Sequence, residues 1–192
     1  MSPSERKLVR RLRARDEDAF TELVRTYQHK VFNVVLRIVG DRAEAEDVSQ
    51  EVFVSVFKHI NTFRGEAKFS TWLYRISTNH ARNRVKYLAR RSSRAHQGLE
   101  DSNEKAVSDG HLGERISNPH EVAVGNELEE IVQEGLALLN EMHRTILVLR
   151  DVEHLSYAEI GEVVDLPEGT VKSRLFRARA ALKEHVDSRY NG

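Results

Sequence analysis

The chain has 192 residues, with 30 Lys and Arg against 30 Asp and Glu, 40% hydrophobic residues, three prolines and no cysteine. That apolar content excludes wholesale disorder, and the missing cysteine excludes disulfides and thiolate metal sites. The length suits one ordinary domain or two small ones, and the scarcity of proline among long Ala-, Leu-, Glu- and Arg-rich stretches points to an all-α fold.

The opening stretch "MSPSERKLVRRLRARDEDAF" is basic but has no apolar h-region. No secretion signal or transmembrane run is expected, so the default location is cytoplasmic. Phe20, Leu23, Val24, Tyr27, Val31, Val34, Val35 and Ile38 follow helical spacing, and Gly40 ends that helix. Asp41 with Glu44 reads as a capping box for a second helix. Its buried stripe is Val48, Val52, Val56 and Ile60, widened by Phe53 and Phe57. "NTFRGEAKF" is a connector. Ser70 is placed to cap a third long helix, with Phe69, Trp72, Leu73 and Ile76 on its apolar side. Residues 1–92 therefore read as one helical domain.

Ser92 to Ser117 shows no sustained period, and 93–117 reads as a flexible acidic linker. "NPHE" then opens a second domain, 118–192, with Asn118 as cap and Pro119 at the first helical position. Val124, Leu128, Ile131, Gly135 and Leu138 continue that helix, and "NEMHRTILVLRDV" gives another.

Neutral overall charge hides strong patterning. Ser70 to Arg94 holds seven bases (Arg75, Arg82, Arg84, Lys86, Arg90, Arg91, Arg94) and no acid. From Leu99 to Glu114 the sign reverses, with Glu100, Asp101, Glu104, Asp109 and Glu114 against Lys105 alone. Near the end, Lys172, Arg174, Arg177, Arg179 and Lys183 crowd one more acid-free helix. Two acid-free basic helices in a neutral protein point to nucleic acid.

The C-terminal stretch is the more specific. Ser156 and Glu159 form a capping box, Ile160, Val163 and Val164 face inward, and "DLPEG" makes a turn. Val171, Leu175 and Ala178 keep the next helix on the core and leave Lys172, Ser173, Arg174, Phe176 and Arg177 outward. This is helix-turn-helix spacing, whose second helix enters the DNA major groove, where Arg and Lys suit guanine edges and phosphates. The bland reading is a helical hairpin with a basic exterior. In the N-terminal domain, Asp47, Gln50, Glu51 and Val54 share a face opposite the apolar stripe, by itself only a solvated polar face. Arg75, Asn79, Arg82, Asn83 and Lys86 cluster on one side of the third helix, with Trp72 one turn before, which is compatible with a base-reading surface.

At these residues a family resemblance appears. "DVSQEVFVSVFKHINTFRGEAKFSTWLYRISTNHARNRV" resembles region 2 of the extracytoplasmic-function (ECF) sigma factors, and "LSYAEIGEVVDLPEGTVKSRLFRARAALK" resembles their region 4. "ISNP" resembles the sigma-E envelope-stress branch. The resemblance implies a transcription initiation factor that binds core RNA polymerase, directs it to promoter DNA and helps open the duplex. It implies that Asp47, Gln50, Glu51 and Phe53 grip the polymerase clamp helices. It assigns the minus-10 element to Asn79, Arg82 and Asn83. Trp72 and Lys86, from the same base-reading face of the third helix, are placed with them. It assigns the minus-35 element to Thr170, Lys172, Ser173, Arg174, Phe176 and Arg177. The linker would thread the polymerase channel, and an anti-sigma factor, often membrane-anchored, is an implied partner. No cofactor, metal or small-molecule substrate is expected.

Two rivals differ in class. One is a helix-turn-helix regulator that binds operator DNA without polymerase; receiver domains of that kind need alternating strands, which residues 1–92 do not offer. The other is an enzyme acting on nucleic acid. The nine histidines are scattered with no HxxxH pair, and no Gly-rich phosphate loop occurs, so catalysis is not expected.

Overall fold

The computed structural model describes residues 3–97 and 119–190. Its elements are helices α1 (Pro3–Arg13), α2 (Glu17–Val39), α3 (Arg42–His59), α4 (Phe69–Gln97), α5 (Pro119–Leu138), α6 (Glu141–Leu147), α7 (Tyr157–Val164) and α8 (Glu168–Tyr190). A 3₁₀ turn, Ile60–Thr62, follows α3, and a π turn, Val148–Val152, follows α6. No strand occurs among the described residues. The fold is all-α, as the sequence predicts. Asn118 and residues 98–117 of the expected linker lie outside the described residues, as does the side chain of Val124.

The first half is a packet of α2, α3 and α4 with α1 laid against α2. The predicted α2 stripe is the one buried: Leu23, Val31, Val34, Val35 and Ile38 are fully enclosed. Gly40 ends α2 in the left-handed region, φ 88°, where its N–H reaches Leu36 O and a side chain would be strained. The basic opening stretch forms α1, which single-turn periodicity did not reveal. Leu8, Val9 and Leu12 bury its inner side, and Arg13 donates to Phe63 O beside the connector.

Four local expectations need correction. Asp41 caps α3 through Glu44 N–H at 2.8 Å, but the Glu44 carboxylate does not return to the cap; it pairs with Arg84 of α4. Ser70 does not cap α4, because the helix starts at Phe69, with Trp72 N–H already bonded to Lys68 O. Phe57 does not complete the α3 stripe; it is exposed, meets Phe20 edge to face and lies under the Arg15 guanidinium. In α5, Leu128 and Leu138 face solvent while Ile131 and Leu136 are buried; Leu139, just past the helix end, turns inward where its N–H folds back to Leu136 O.

The second half stacks α5, α6 and α7 on α8, with Ile146, Leu149, Ile160, Val171 and Ala178 at its centre. The two halves share one continuous apolar cluster running from Leu8 to Ala178. Polar ties join them as well. Arg144 of α6, only 8% exposed, donates to Ile38 O at 2.6 Å, Ala137 O at 2.8 Å and Leu139 O at 3.1 Å. One guanidinium thus satisfies carbonyls at the ends of α2 and α5, where helix C-termini favour a cation. Arg37 of α2 pairs with Glu129 of α5 at 2.7 Å.

Candidate nucleic-acid interface

The helix-turn-helix is built as its sequence predicts. Ser156 Oγ accepts Glu159 N–H while the Glu159 carboxylate accepts Ser156 N–H, so the capping box is complete. α7 ends at Asp165, φ 57°, and Leu166 N–H turns back to Gly161 O at 3.0 Å. Gly161 is needed there: a Cβ would meet Leu166 O at 2.6 Å. Pro167 O then accepts Thr170 and Val171 N–H to start α8. Val171, Leu175 and Ala178 are buried, which rotates Lys172, Ser173, Phe176 and Arg177 into solvent. Phe176 is 75% exposed, an unusual position for a phenyl ring. Arg174 and Thr170 are half-buried beside them. Lys172 lies over the Tyr157 ring at 5.3 Å and 3.8 Å from Glu168. His143 of α6 faces the same helix. Burial, then the charges of Arg174 and Arg177, push its pKa below the usual histidine value.

On α4, Asn79 and Asn83 are exposed and make no side-chain hydrogen bond to a described residue. Arg82 pairs with Glu141 of α6, and Lys86 approaches the same carboxylate at 3.5 Å. Trp72 is half-buried, its ring 5.4 Å from Phe63 and 5.8 Å from Phe69. Its outer side lines a cavity of about 520 Å³ with Arg64, Thr71 and Arg75 of the connector and α4. The far wall of that cavity is acidic: Glu162 and Asp165 from the α7 end. Next to it Lys68 meets Glu159 at 2.7 Å. That pairing, with the Ser156 N–H, lowers the Glu159 carboxyl to about 2. Arg64 and Lys68 stand in the connector and Thr71 in the first turn of α4; the sequence marks the connector and the helix after it as a pocket without naming Arg64 or Thr71.

On α3, Asp47, Gln50 and Glu51 are exposed along one face together with Val54, which is 49% exposed. Phe53 does not belong to it: it is 8% exposed and packs in the core, because it lies one position off the polar row. Val54 is the apolar residue the face presents. Glu51 also reaches across to α4, 2.7 Å from Arg84 and 3.6 Å from His80. Arg84, which holds both Glu44 and Glu51, therefore sets the lie of the acidic face.

A basic, outward-facing helix-turn-helix joined to a second helical packet with its own basic helix defines a nucleic-acid-binding protein in two parts. Comparison with known proteins fixes the kind. Residues 23–94 match the Sigma-70 region 2 family and 129–182 match the Sigma-70 region 4 family. The chain is 40% identical to the ECF RNA polymerase sigma-E factor of Escherichia coli K12, over 93% of this chain and 92% of the relative. It is 39% identical to the RNA polymerase sigma-H factor of Pseudomonas aeruginosa, over 93% and 91%. It is 34% identical to the ECF RNA polymerase sigma factor SigW of Bacillus subtilis, over 94% and 96%. The chain belongs to the ECF group of the sigma-70 family. Its fold is similar to that of CnrH, solved in complex with the cytosolic domain of CnrY, with a TM-score of 0.69 at 20% identity over 97% of this chain and 99% of that one. It is also similar to the sigma factor RpoE from Bartonella quintana, solved with the anti-sigma factor NepR, with a TM-score of 0.64 at 20% identity over 88% and 96%. Among the described residues no helix is long and apolar enough to cross a membrane.

Proposed function

We propose that this chain acts in the cytoplasm as an alternative sigma factor, without catalytic activity of its own, and that its three surfaces divide the work. Asp47, Gln50, Glu51 and Val54 on α3 hold core polymerase. Trp72, Asn79, Arg82, Asn83 and Lys86 on α4 read and hold the opened minus-10 strand. Thr170, Lys172, Ser173, Arg174, Phe176 and Arg177 on α8 read the minus-35 element. The observation that carries the reading is the helix-turn-helix, whose buried row leaves Lys172, Phe176 and Arg177 outward with Arg174 half-buried beside them. An Asn can both donate to and accept from a base edge, which suits Asn79 and Asn83 to single-strand reading. Residues 1–92 and 118–192 serve as the two functional units, with 93–117 as the linker between them. An anti-sigma factor that covers the α3 and α4 surfaces is the partner expected to restrain it.

Run-off transcription from genomic fragments with core polymerase, with and without this chain, tests the activity. Transcripts should appear only with both. Binding of the chain alone to a specific duplex with full affinity would favour the operator-binding regulator instead. Asp47→Ala with Gln50→Ala should weaken core binding at unchanged helicity; equal affinity would remove the α3 face from the interface.

A further inference from the structure

Helix α1 carries a row of cations that none of the three proposed surfaces uses. Leu8, Val9 and Leu12 bury its inner side, which turns Arg6, Lys7, Arg10 and Arg13 outward at helical spacing. Arg6, Lys7 and Arg10 line one surface groove with Pro3, and their side chains make no hydrogen bond or ion pair with a described residue. Arg11, on the flank of the row, is by contrast held by Asp16 and Glu22, each at 2.7 Å. Glu5 belongs to the inner side, within electrostatic reach of Tyr27. An anionic ligand can therefore take three neighbouring charges of α1 without displacing a carboxylate. The row ends at the connector, where Arg13 donates to Phe63 O. Phe63 and the next residue, Arg64, line the Trp72 cavity together with Arg75. Arg64 and Arg75 are exposed and make no ion pair with a described residue, and Glu66 is the single acid of the connector.

We infer that the outer face of α1 is a further DNA-binding site: Arg6, Lys7, Arg10 and Arg13 hold the phosphodiester backbone of the opened strand where it leaves the Trp72 cavity. This rests on the reading of α4 as the surface for the opened minus-10 strand. A base held beside Trp72 has a phosphate on each side, so the strand continues past the cavity, and Arg13 at Phe63 is where the cation row meets the cavity wall. From Arg6 to Arg13 the helix rises about 10 Å. That is the length of roughly three nucleotides at duplex spacing and of fewer in a stretched strand. The row holds no aromatic side chain on which a base could stack, so its contacts are with phosphate. Phosphate contacts position the strand and add affinity without reading sequence. The α1 face thus supplies grip, and α4 supplies the choice of bases.

The test uses the full chain joined to core polymerase and a promoter recovered by run-off transcription. The probes are fluorescein-labelled non-template oligonucleotides. A short one spans the minus-10 element, and two longer ones extend it by about six thymidines at the 5′ or the 3′ end, more than the row spans. One extension should tighten binding to the wild-type holoenzyme. Arg6→Ala/Lys7→Ala/Arg10→Ala should lose that gain and bind the short probe as the wild type does. Single-strand affinity falls with salt at a slope of about −0.7 per phosphate contact, so three lost contacts flatten the slope by about 2. The wild-type advantage on the extended probe should then shrink about tenfold between roughly 50 and 150 mM salt. Arg6→Lys/Arg10→Lys keeps the charges and should keep the gain. The same gain in the Ala variant as in the wild type, or no gain from either extension, overturns the proposal. An Ala variant that binds core polymerase more weakly and keeps the gain gives the α1 cations to an acidic protein surface, and overturns it as well. Asn79→Ala tells the two readings apart. If it weakens binding of the short probe while the α1 variant keeps the gain, the α4 reading stands and the α1 site alone fails. If Asn79→Ala binds the short probe as the wild type does, the α4 reading fails and takes the α1 site with it.

Discussion

At residue scale, the helix-turn-helix depends on the missing side chain at position 161. Leu166 O would lie 2.6 Å from a Cβ on Gly161, closer than side-chain carbons approach backbone oxygen, and this oxygen is backbone that cannot swing away. Gly161→Ala should push α7 from α8 and cost about 1–3 kcal/mol, the usual range for overpacking. Urea denaturation checks the stability, and run-off transcription should show a loss greatest at promoters that depend on the minus-35 element. Unchanged values of both would mean the turn relaxes freely. The sequence shows Gly161 only as a glycine inside a helical stretch; the close approach that requires it arises from how α7 meets the turn. Phe53 teaches the converse. It belongs to the apolar set that the period predicts, so its burial was legible, and the family resemblance drew it outward onto a face it does not reach.

At the scale of elements, legibility followed periodicity. α2, α3, α7 and α8 carry long or well-capped patterns, and their buried rows follow the predicted ones except at Phe57 of α3. α1 was missed because three apolar residues in one turn give no period. Ser156→Ala removes the oxygen that accepts Glu159 N–H and should cost about 1 kcal/mol of stability, measured by thermal unfolding. α6 and α8 together supply a pH dependence. The His143 pKa is lowered by burial and by Arg174 and Arg177, so the unfolded chain takes up a proton at higher pH than the folded one. Stability therefore falls as pH drops below the ordinary histidine value of about 6.5, and this contribution is flat above it. His143→Gln should flatten that slope. Phosphates docked at Arg174 and Arg177 would cancel the local positive potential and raise the His143 pKa. Minus-35 binding should then take up a proton and tighten between pH 7.5 and 6 in the wild type, but not in His143→Gln. Fluorescence anisotropy on a promoter duplex measures both slopes, and equal slopes would detach His143 from the interface.

At the scale of the whole molecule, the sequence predicts two domains on a linker and says nothing of how they meet. The contacts that join them are single side chains far apart in sequence, such as Arg144 on Ile38 O, and no local pattern encodes them. The apolar cluster is itself continuous across both halves, so the free chain should unfold as one unit. Trp72 fluorescence reports the first half, and far-UV circular dichroism reports all helices. In urea the two curves should coincide for the wild type. Arg144 is the pivot. Its guanidinium is buried with no carboxylate hydrogen-bonded to it, and burial lowers its pKa, yet arginine stays charged. Its donors satisfy three carbonyls, and a hydrogen bond to a charged group contributes about 1.5–3 kcal/mol. Arg144→Ala should therefore lose roughly 3 kcal/mol or more, since it strands Ile38, Ala137 and Leu139 oxygens in the interior. The loss falls on the C-terminal half and on the junction, so the dichroism midpoint should drop below the Trp72 midpoint and the curves should separate. Arg144→Lys can still donate, but without the planar fork, and should recover only part of the difference. Raising the salt to about 1 M shortens the screening length to about 3 Å and should weaken the exposed pairs, Lys68–Glu159 among them, while leaving Arg144 bonded to neutral carbonyls. High salt alone should thus narrow the coupling without splitting the wild-type transition. Coincident curves and an unchanged midpoint in Arg144→Ala would show that the halves are held by the apolar cluster and that the guanidinium adds nothing to the junction.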